Sequence, residues 1–370
     1  MNQLNKSRTL ITTLLLLNLL SPLVIAKAPT VYEYTLEYRF ENRGTTDFTL
    51  TESDIAIPLF INTTGTTARL SEISRDYRIK IMDDDGNKGI IVDIDPTLSP
   101  GEEEVFTAAY EITSSEFDVP EYTLSSAEGF DEIPLELVDE YCFSTETFSI
   151  DDPVFYDIAS GLVDPDDTVL ETVSTLVEYI VEETTYCNYE TPQYPNSTLA
   201  NNLGDCDDQS ILLITMCRSL DIPAYLQVGI YIHNSINDQD SSWDDHLVNN
   251  ADGVAWHGWA MVYIPPWGWV PVDLTLTNAD SGLELIQSAP EYNTNIIPVL
   301  NVSKQPYIGG TLETRDRFIN STVYITISDT AKVNYSADNP LQNYLLLGLG
   351  ASLLIAIGLM FKYGNQNKAY

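Results

Sequence analysis

Apolar and polar residues alternate in short runs through the first third of the chain. The clearest runs, all within residues 30–118, read VYEYTLEYRF, DIAIPLFI, YRIKIMD, GIIVDID and EVFTAAYEI. Alternation with a period of two is typical of strands that bury one face, and several short strands at this spacing indicate an antiparallel sandwich. The pattern therefore predicts an N-terminal β-sandwich domain over residues 27–125.

One turn in this region contains the acidic sequence DDDGN at residues 83–87. Calcium loops of the EF-hand type also begin with closely spaced acidic residues, but Lys88 occupies the position that such a loop requires to be glycine. We therefore predict a hairpin turn here.

A helical period begins after about residue 125. Apolar residues recur at spacings of three and four through residues 169–181, and Asp167 or Thr168 is suited to cap that helix. A second apolar run covers residues 211–216, and the strand-like runs AYLQVGIYI, WHGWAMVYI and WVPVDLTL follow it. The mixture predicts an α+β core over residues 126–330.

Both ends of the chain carry long apolar segments. Residues 1–26 combine a basic start, an apolar stretch and small residues at the exit, which is typical of a secretory signal peptide; an uncleaved anchor is the alternative. Residues 344–361 contain no charge and precede a lysine-containing tail at 362–370, which is typical of a transmembrane helix. The ends predict a single-pass protein of the cell membrane with residues 27–343 outside, where 331–343 form a polar stalk.

Charge is distributed unevenly along the chain. All 55 acidic residues lie between Glu33 and Asp338, whereas four of the 17 basic residues lie in the two terminal segments, so residues 27–343 carry a formal charge of −42. Such a surface repels nucleic acid and attracts cations and basic partners. Solvation in salt or at a cell surface explains it more simply than a dedicated basic substrate. With 44% hydrophobic residues the chain can still bury a core.

Five N-x-[ST] sequons lie in the segment predicted to be exported, and on an exported protein they are candidate glycosylation sites. They start at Asn62, Asn196, Asn301, Asn320 and Asn334.

The four cysteines allow two disulfides in an oxidising compartment. Cys206 and Cys217 cannot pair on one helix, because eleven residues rise about 16 Å and a disulfide needs Cα atoms within about 7 Å. We predict that Cys142 pairs with Cys187, and that Cys217 is an inert core residue.

Cys206 is the candidate nucleophile. Aspartates surround it at what reads as the start of a helix, and a helix N-terminus lowers the pKa of a thiol. The same aspartates oppose a thiolate, and a buried or disulfide-bonded cysteine is the simpler interpretation of this residue alone. His257 enters a strand, and Asp273 lies sixteen residues later on the return strand of a hairpin turned by PPWG. An aspartate beside a histidine fixes its orientation, and a histidine beside a cysteine takes the thiol proton.

Other histidines and a metal site are less favoured arrangements of these residue types. His233 and His246 are alternative bases, but neither precedes a strand that ends in aspartate at hairpin spacing. A zinc site from Cys206, His246, His257 and Asp273 is disfavoured, because structural zinc sites usually show closely spaced Cys/His pairs. All five tryptophans lie between residues 243 and 269, either as an apolar wall around the thiol or as core packing.

The runs GDCDDQSILLITMCRSLDIPAYLQVG and WHGWAMVYIPPWGWVPVDLTL closely resemble the transglutaminase-like core of the papain-like cysteine superfamily. The resemblance covers roughly residues 126–280 and implies a papain-like α+β fold. It implies Cys206 as nucleophile, His257 as general base and acid, and Asp273 as the residue that orients His257. Gly258 stands where the family more often has alanine, which we expect to matter little. Asn202 is a candidate second oxyanion donor.

The resemblance implies a thiol hydrolase or acyl transferase that acts on amide bonds of proteins or peptides and needs no cofactor or metal. The few lysines slightly favour hydrolysis over self-cross-linking. The alternative is a catalytically silent module that serves as a surface binding or structural protein.

Overall fold

The computed structural model describes residues 29–116 and 118–335. The predicted signal peptide, transmembrane helix and cytoplasmic tail, and most of the predicted stalk, lie outside these residues. Among the helices of the described residues, none is long and apolar enough to cross a membrane.

The described part contains fifteen strands and seven α-helices. The strands are β1 (Thr30–Asn42), β2 (Phe48–Thr49), β3 (Ala56–Pro58), β4 (Thr66–Ile73), β5 (Tyr77–Ile81), β6 (Lys88–Val92), β7 (Thr97–Leu98), β8 (Glu103–Ser114), β9 (Thr185–Tyr186), β10 (Leu203–Gly204), β11 (Ala224–Ser242), β12 (Leu247–Ile264), β13 (Gly268–Val272), β14 (Ile296–Val302) and β15 (Val323–Tyr335). The helices are α1 (Leu135–Tyr141), α2 (Pro153–Leu162), α3 (Val169–Glu183), α4 (Pro195–Asn201), α5 (Cys206–Ser219), α6 (Gly282–Gln287) and α7 (Tyr307–Ile319), with 3₁₀ turns at Phe130–Glu132 and Pro290–Tyr292.

One eight-stranded sheet runs through the molecule in the order β14-β11-β12-β15-β1-β8-β4, with β13 paired to β12. The pairs are antiparallel except β12 with β15, which is parallel. Because β1 pairs with both β8 and β15, the first and last strands of the described chain hold the two halves of the sheet together.

The predicted fold class, a papain-like α+β core behind a separate β-sandwich, is wrong. Strands contain more residues than helices, and β1, β4 and β8 continue the sheet that contains β11 and β12. The Asp85 carboxylate accepts hydrogen bonds from the backbone N–H groups of Ser303, Lys304 and Gln305, which ties the early strands to the late part of the chain. Alternation showed which faces are buried, but it carries no information on which distant strands pair.

Two apolar clusters lie along this sheet. The first joins α3 and α5 to the parts of β11 and β12 at residues 224–228 and 260–264. The second joins β1, β6 and β8 to the parts of the same two strands at 230–232 and 254. The long β11–β12 hairpin therefore contributes to both cores.

Several local predictions are confirmed. Thr168 caps α3 in a capping box with Glu171, and the apolar face of that helix is buried. The DDDGN segment turns the β5–β6 hairpin, where Asp83 accepts hydrogen bonds from the backbone N–H groups of Asp85 and Asn87.

Candidate active site

Helix α5 places Cys206 at its first position. Residues 208–218 of this helix are all buried, so the helix lies inside the core and its N-terminus has a defined position. Asp205 is the N-cap, and its side chain and that of Asp208 form a reciprocal capping box. The aspartates that surround the cysteine in the sequence thus have a structural reason to be there.

The β12–β13 hairpin brings His257 and Asp273 together. Ala260 pairs with Val272, so extending the register sets Asp273 opposite Trp259, and His257 is two residues away on the same face of β12. His257 Nε2 and Asp273 Oδ2 are 2.6 Å apart, and the two side chains are 5% and 1% exposed. With Nε2 bonded to the carboxylate, Nδ1 is the ring nitrogen left to accept a proton.

Asp273 is held as a carboxylate by several donors. Burial opposes its charge, but hydrogen bonds from His257 and from the backbone N–H groups of Thr275 and Leu276 outweigh this and lower its pKa below the ordinary value. An ionised Asp273 fixes both the position and the tautomer of His257.

The thiol of Cys206 lies near the strand that carries His257, close enough for the backbone N–H of Gly258 to lower the pKa of the thiol. The approach of α5 to β12 is close at this point. A Cβ atom added to Gly258 would lie 2.8 Å from Asp207 Cβ. The structure thus joins His257 and Asp273 by a hydrogen bond and sets Cys206, at the first position of α5, near the residue that follows His257.

Burial raises the pKa of the Cys206 thiol well above its ordinary value, and the charges of Asp207 and Asp205 act in the same direction. The Gly258 N–H opposes them but is the weaker influence. The resting thiol is therefore neutral, and its proton must leave during attack on a substrate rather than beforehand.

Two of the aspartates beside the thiol, Asp207 and Asp208, also favour their neutral forms. Burial, followed by Asp205, raises the pKa of Asp207 well above its ordinary value, and the Tyr307 hydroxyl donates to Asp207 Oδ2 at 3.0 Å. Burial and the charge of Asp205 raise the pKa of Asp208 to about 7. No local pattern pointed to Tyr307, because it lies about a hundred residues beyond the nucleophile.

Tyr186 is a second residue near the thiol that the sequence reasoning missed. It is 56% exposed, and burial of its hydroxyl, aided by the nearby charge of Asp205, raises its pKa to about 12. Asn202, the predicted oxyanion donor, is exposed and ends α4 in the left-handed conformation, with φ of 55°. Asparagine tolerates that conformation well, so the backbone accounts for this residue.

The structure does not form the predicted Cys142–Cys187 disulfide, since all four cysteines are free. Cys142 lies near Arg218 and Cys217, at the C-terminal end of α5. The Cys187 N–H instead donates to Gly204 O, just before the N-terminus of that helix. The fourteen residues of α5 rise about 21 Å, which separates the two cysteines. Cys217 is fully buried, as predicted.

The residues of the zinc alternative do not come together. His246 packs at the hairpin tip, where its Nδ1 lies 2.8 Å from Val323 O. Within the described ranges, side chains with metal-compatible spacing fall into two other groups, Asp205–Cys206–Asp207 and His257–Asp273–Glu291.

The tryptophans are divided among several environments. Trp259 is buried and stacks on His257 at a ring distance of 5.8 Å, whereas Trp256 is 42% exposed. Trp259, Trp267 and Trp269 line a cavity of about 280 Å³. Glu291 also lines it, and this residue was not singled out in the sequence.

The sequons differ in exposure. Asn62, Asn196, Asn320 and Asn334 are exposed, which suits the predicted modification. Asn301 lies in β14, and its Oδ1 accepts a hydrogen bond from Gln227. A glycan on Asn301 would disturb the sheet, and glycosylation of all five remains a prediction.

The sequence-based expectation is that glycine or alanine at position 258 matters little, but the close packing predicts that Gly258→Ala should impair the site although Cys206, His257 and Asp273 are unchanged. The added methyl group would push the first turn of α5 away from β12, because its carbon would lie only 2.8 Å from Asp207 Cβ. We expect a loss of about 1–3 kcal/mol in unfolding free energy and an activity loss larger than stability explains. Gly310→Ala is the matched control, since nothing lies within 4 Å of a Cβ there. Equal, wild-type behaviour of both variants would contradict the close contact.

The raised pKa of Asp208 predicts that stability falls as pH rises. In the folded protein Asp208 keeps its proton to about pH 7, whereas in the unfolded chain it loses it near the ordinary value of 3.8. The stabilising contribution of Asp208 to the free energy of unfolding is therefore fully present below about pH 4 and is lost as the pH rises to about 7. Thermal unfolding should show a Tm several degrees higher at pH 5 than at pH 8. Asp208→Asn should reduce that difference; an unchanged pH dependence in this variant would refute the assignment.

Comparison with known proteins found one similar family. Residues 156–274 match the model of the "Transglutaminase-like superfamily", and the matched range contains Cys206, His257 and Asp273. The search of curated proteins found no match.

Two solved structures also align with this chain. A "Putative Cysteine Protease" from Cytophaga hutchinsonii aligns with a TM-score of 0.51 at 12% identity, over 83% of this chain and 92% of that chain. The periplasmic domain of TgpA from Pseudomonas aeruginosa aligns with a TM-score of 0.35 at 13% identity, over 72% of this chain and 93% of that chain. The alignment with the Cytophaga hutchinsonii structure shows a shared fold. Residues 156–274, which hold the three candidate site residues, are similar to the transglutaminase-like superfamily.

Proposed function

We propose that the protein is a cysteine-nucleophile enzyme that cleaves or transfers the acyl group of protein or peptide amides. Cys206 is the nucleophile, His257 the general base and acid, and Asp273 the residue that orients His257. The observation that carries the proposal is the buried His257–Asp273 hydrogen bond on a strand that packs against the first turn of α5 at Gly258.

The chemistry follows from this arrangement. Cys206 Sγ attacks the amide carbonyl carbon while the thiol proton moves to Nδ1 of His257, and the C–N bond then breaks as His257 returns the proton to the leaving amine. Free N–H groups at the start of α5 are suited to stabilise the oxyanion. Water or an amine then attacks the thioester with His257 again as base. The scarcity of lysine in the chain favours water over self-cross-linking.

The proposed location is the outer side of a cell membrane. The sequence patterns at both ends, the sequons and the acidic composition support it. Protease added to intact cells should then degrade the described part of the chain, whereas full protection would contradict the proposal.

A non-enzymatic binding or structural role is the second candidate. It is favoured by the burial and negative charge that hold the Cys206 thiol neutral. In that case the residues around α5 would be retained for the core and not for chemistry.

Labelling of the full chain with a peptide-based, thiol-directed electrophile distinguishes the two. If the site is catalytic, Cys206 should be labelled selectively over Cys142, Cys187 and Cys217. Peptide mass spectrometry would identify the labelled residue. The substitution His257→Ala should slow the labelling of Cys206. The matched control is His233→Ala, which changes an exposed histidine. Labelling of Cys206 that is no faster in wild type than in His257→Ala would support the non-enzymatic role.

A further inference from the structure

Glu291 is a buried carboxyl group that the mechanism above does not use. It lies in the 3₁₀ turn Pro290–Tyr292, and its side chain is 7% exposed. Within the described residues, no group donates a hydrogen bond to either of its carboxyl oxygens. A buried carboxylate without donors costs several kcal/mol, so the group calls for an explanation.

The carboxyl group faces the His257–Asp273 pair. Glu291 Oε1 is 4.0 Å from His257 Nε2, and the three side chains have ligand atoms within 4.8 Å of one another. Trp259 and Trp267 line the cavity that Glu291 also lines, which keeps its surroundings largely apolar.

Two carboxyl groups this close and this buried cannot both be ionised at neutral pH. Asp273 has donors that stabilise its charge, namely His257 and the backbone N–H groups of Thr275 and Leu276. Glu291 has no comparable donors, so the proton belongs on Glu291. Burial, and then the charge of Asp273, raise the pKa of Glu291 well above its ordinary value, in agreement with this assignment.

We propose that Glu291 remains a neutral carboxylic acid that donates its O–H to Asp273, and that it positions Asp273 and His257 for the reaction proposed above. No bond is made or broken in this role. If Glu291 were ionised, its oxygen would compete with Asp273 for the Nε2–H of His257 and draw the ring away from its orientation. Glu291 is thus a positioning residue that acts through Asp273.

The other titratable groups around Glu291 are few. His257 of β12 and Asp273 after β13 face it directly. Tyr292 follows it in the same turn and contacts Tyr122, and Asp118 lines the same cavity. Among these groups the nearest acceptor with a stabilised negative charge is Asp273.

The first test does not depend on activity. Difference infrared spectra of the full chain, wild type minus Glu291→Gln, should show the carbonyl stretch of a neutral carboxylic acid at pH 7. Glu182→Gln is the matched control, because Glu182 is exposed on α3 and should show the carboxylate bands. A carboxylate signal for Glu291, or one equivalent of zinc bound by wild type and absent from Glu291→Gln, would overturn the proposal.

The second test uses the pH dependence of kcat/KM. Glu291→Gln keeps a neutral donor and should stay within about threefold of wild type, whereas Glu291→Met removes the donor and should lower kcat about tenfold with little change in KM. Any decline of kcat/KM at alkaline pH that comes from ionisation of Glu291 should also be absent in Glu291→Gln. Equal impairment in both variants would refute the positioning role. The infrared result stands even if no substrate is turned over, so failure of the two proposals can be told apart.

Discussion

Replacing Cys206 with alanine should lower amide cleavage or acyl transfer by at least about 10⁴-fold, because the proposed thioester forms on its sulfur. The fold should survive, since the side chain is small and Asp205 and Asp208 cap the helix without it. The measurement is the turnover of a peptide amide together with the far-ultraviolet circular dichroism of the same preparation.

Cys217→Ser and Cys142→Ser are the matched controls for this substitution. Both thiols lie at the other end of α5, and burial raises the pKa of Cys142 to about 12 and that of Cys217 further still. Their activities should remain within a few-fold of wild type. Activity that persists in Cys206→Ala would eliminate the proposed mechanism.

Asp273→Asn should lower activity by about 10³–10⁴-fold while leaving Cys206 in place. Asp273 Oδ1 accepts hydrogen bonds from Thr275 N and Leu276 N, so asparagine must keep its oxygen there and turn its NH₂ group toward His257. His257 Nε2 then has to accept, which moves the ring proton to Nδ1, the nitrogen that must take the thiol proton.

The exposed residue Asp280 provides the control, and Asp280→Asn should be nearly silent. Nitrogen NMR of His257 would show the change of tautomer directly. If Asp273→Asn kept wild-type activity, or the ring kept its proton on Nε2, the orienting role of Asp273 would be ruled out.

Local sequence signals predicted many elements of this fold. The alternating runs correspond to strands β1 and β8, the cap at Thr168 begins α3, and the turn after Asp83 closes the β5–β6 hairpin. These features depend on residues within a few positions of one another. For the same reason, the sixteen-residue spacing between His257 and Asp273 was sufficient to predict that a hairpin brings them together.

Only the tertiary structure decided how the strands are arranged. The early strands alternate as those of a sandwich do, yet β1 pairs with β15 nearly three hundred residues later. Alternation reports that one face is buried, and many partners satisfy that condition equally. The separate β-sandwich was therefore inferred from a pattern that is also compatible with a shared sheet.

The site shows the same division between sequence and structure. By itself the sequence determined the candidate nucleophile, base and orienting residue, because their spacing and neighbours lie in two short segments. It could not show that Glu291 faces the His257–Asp273 pair, that Tyr307 donates to Asp207, or that α5 touches β12 at Gly258. Those contacts depend on the packing of elements far apart in the chain, and packing also sets the burial that decides which acids in the site keep their protons.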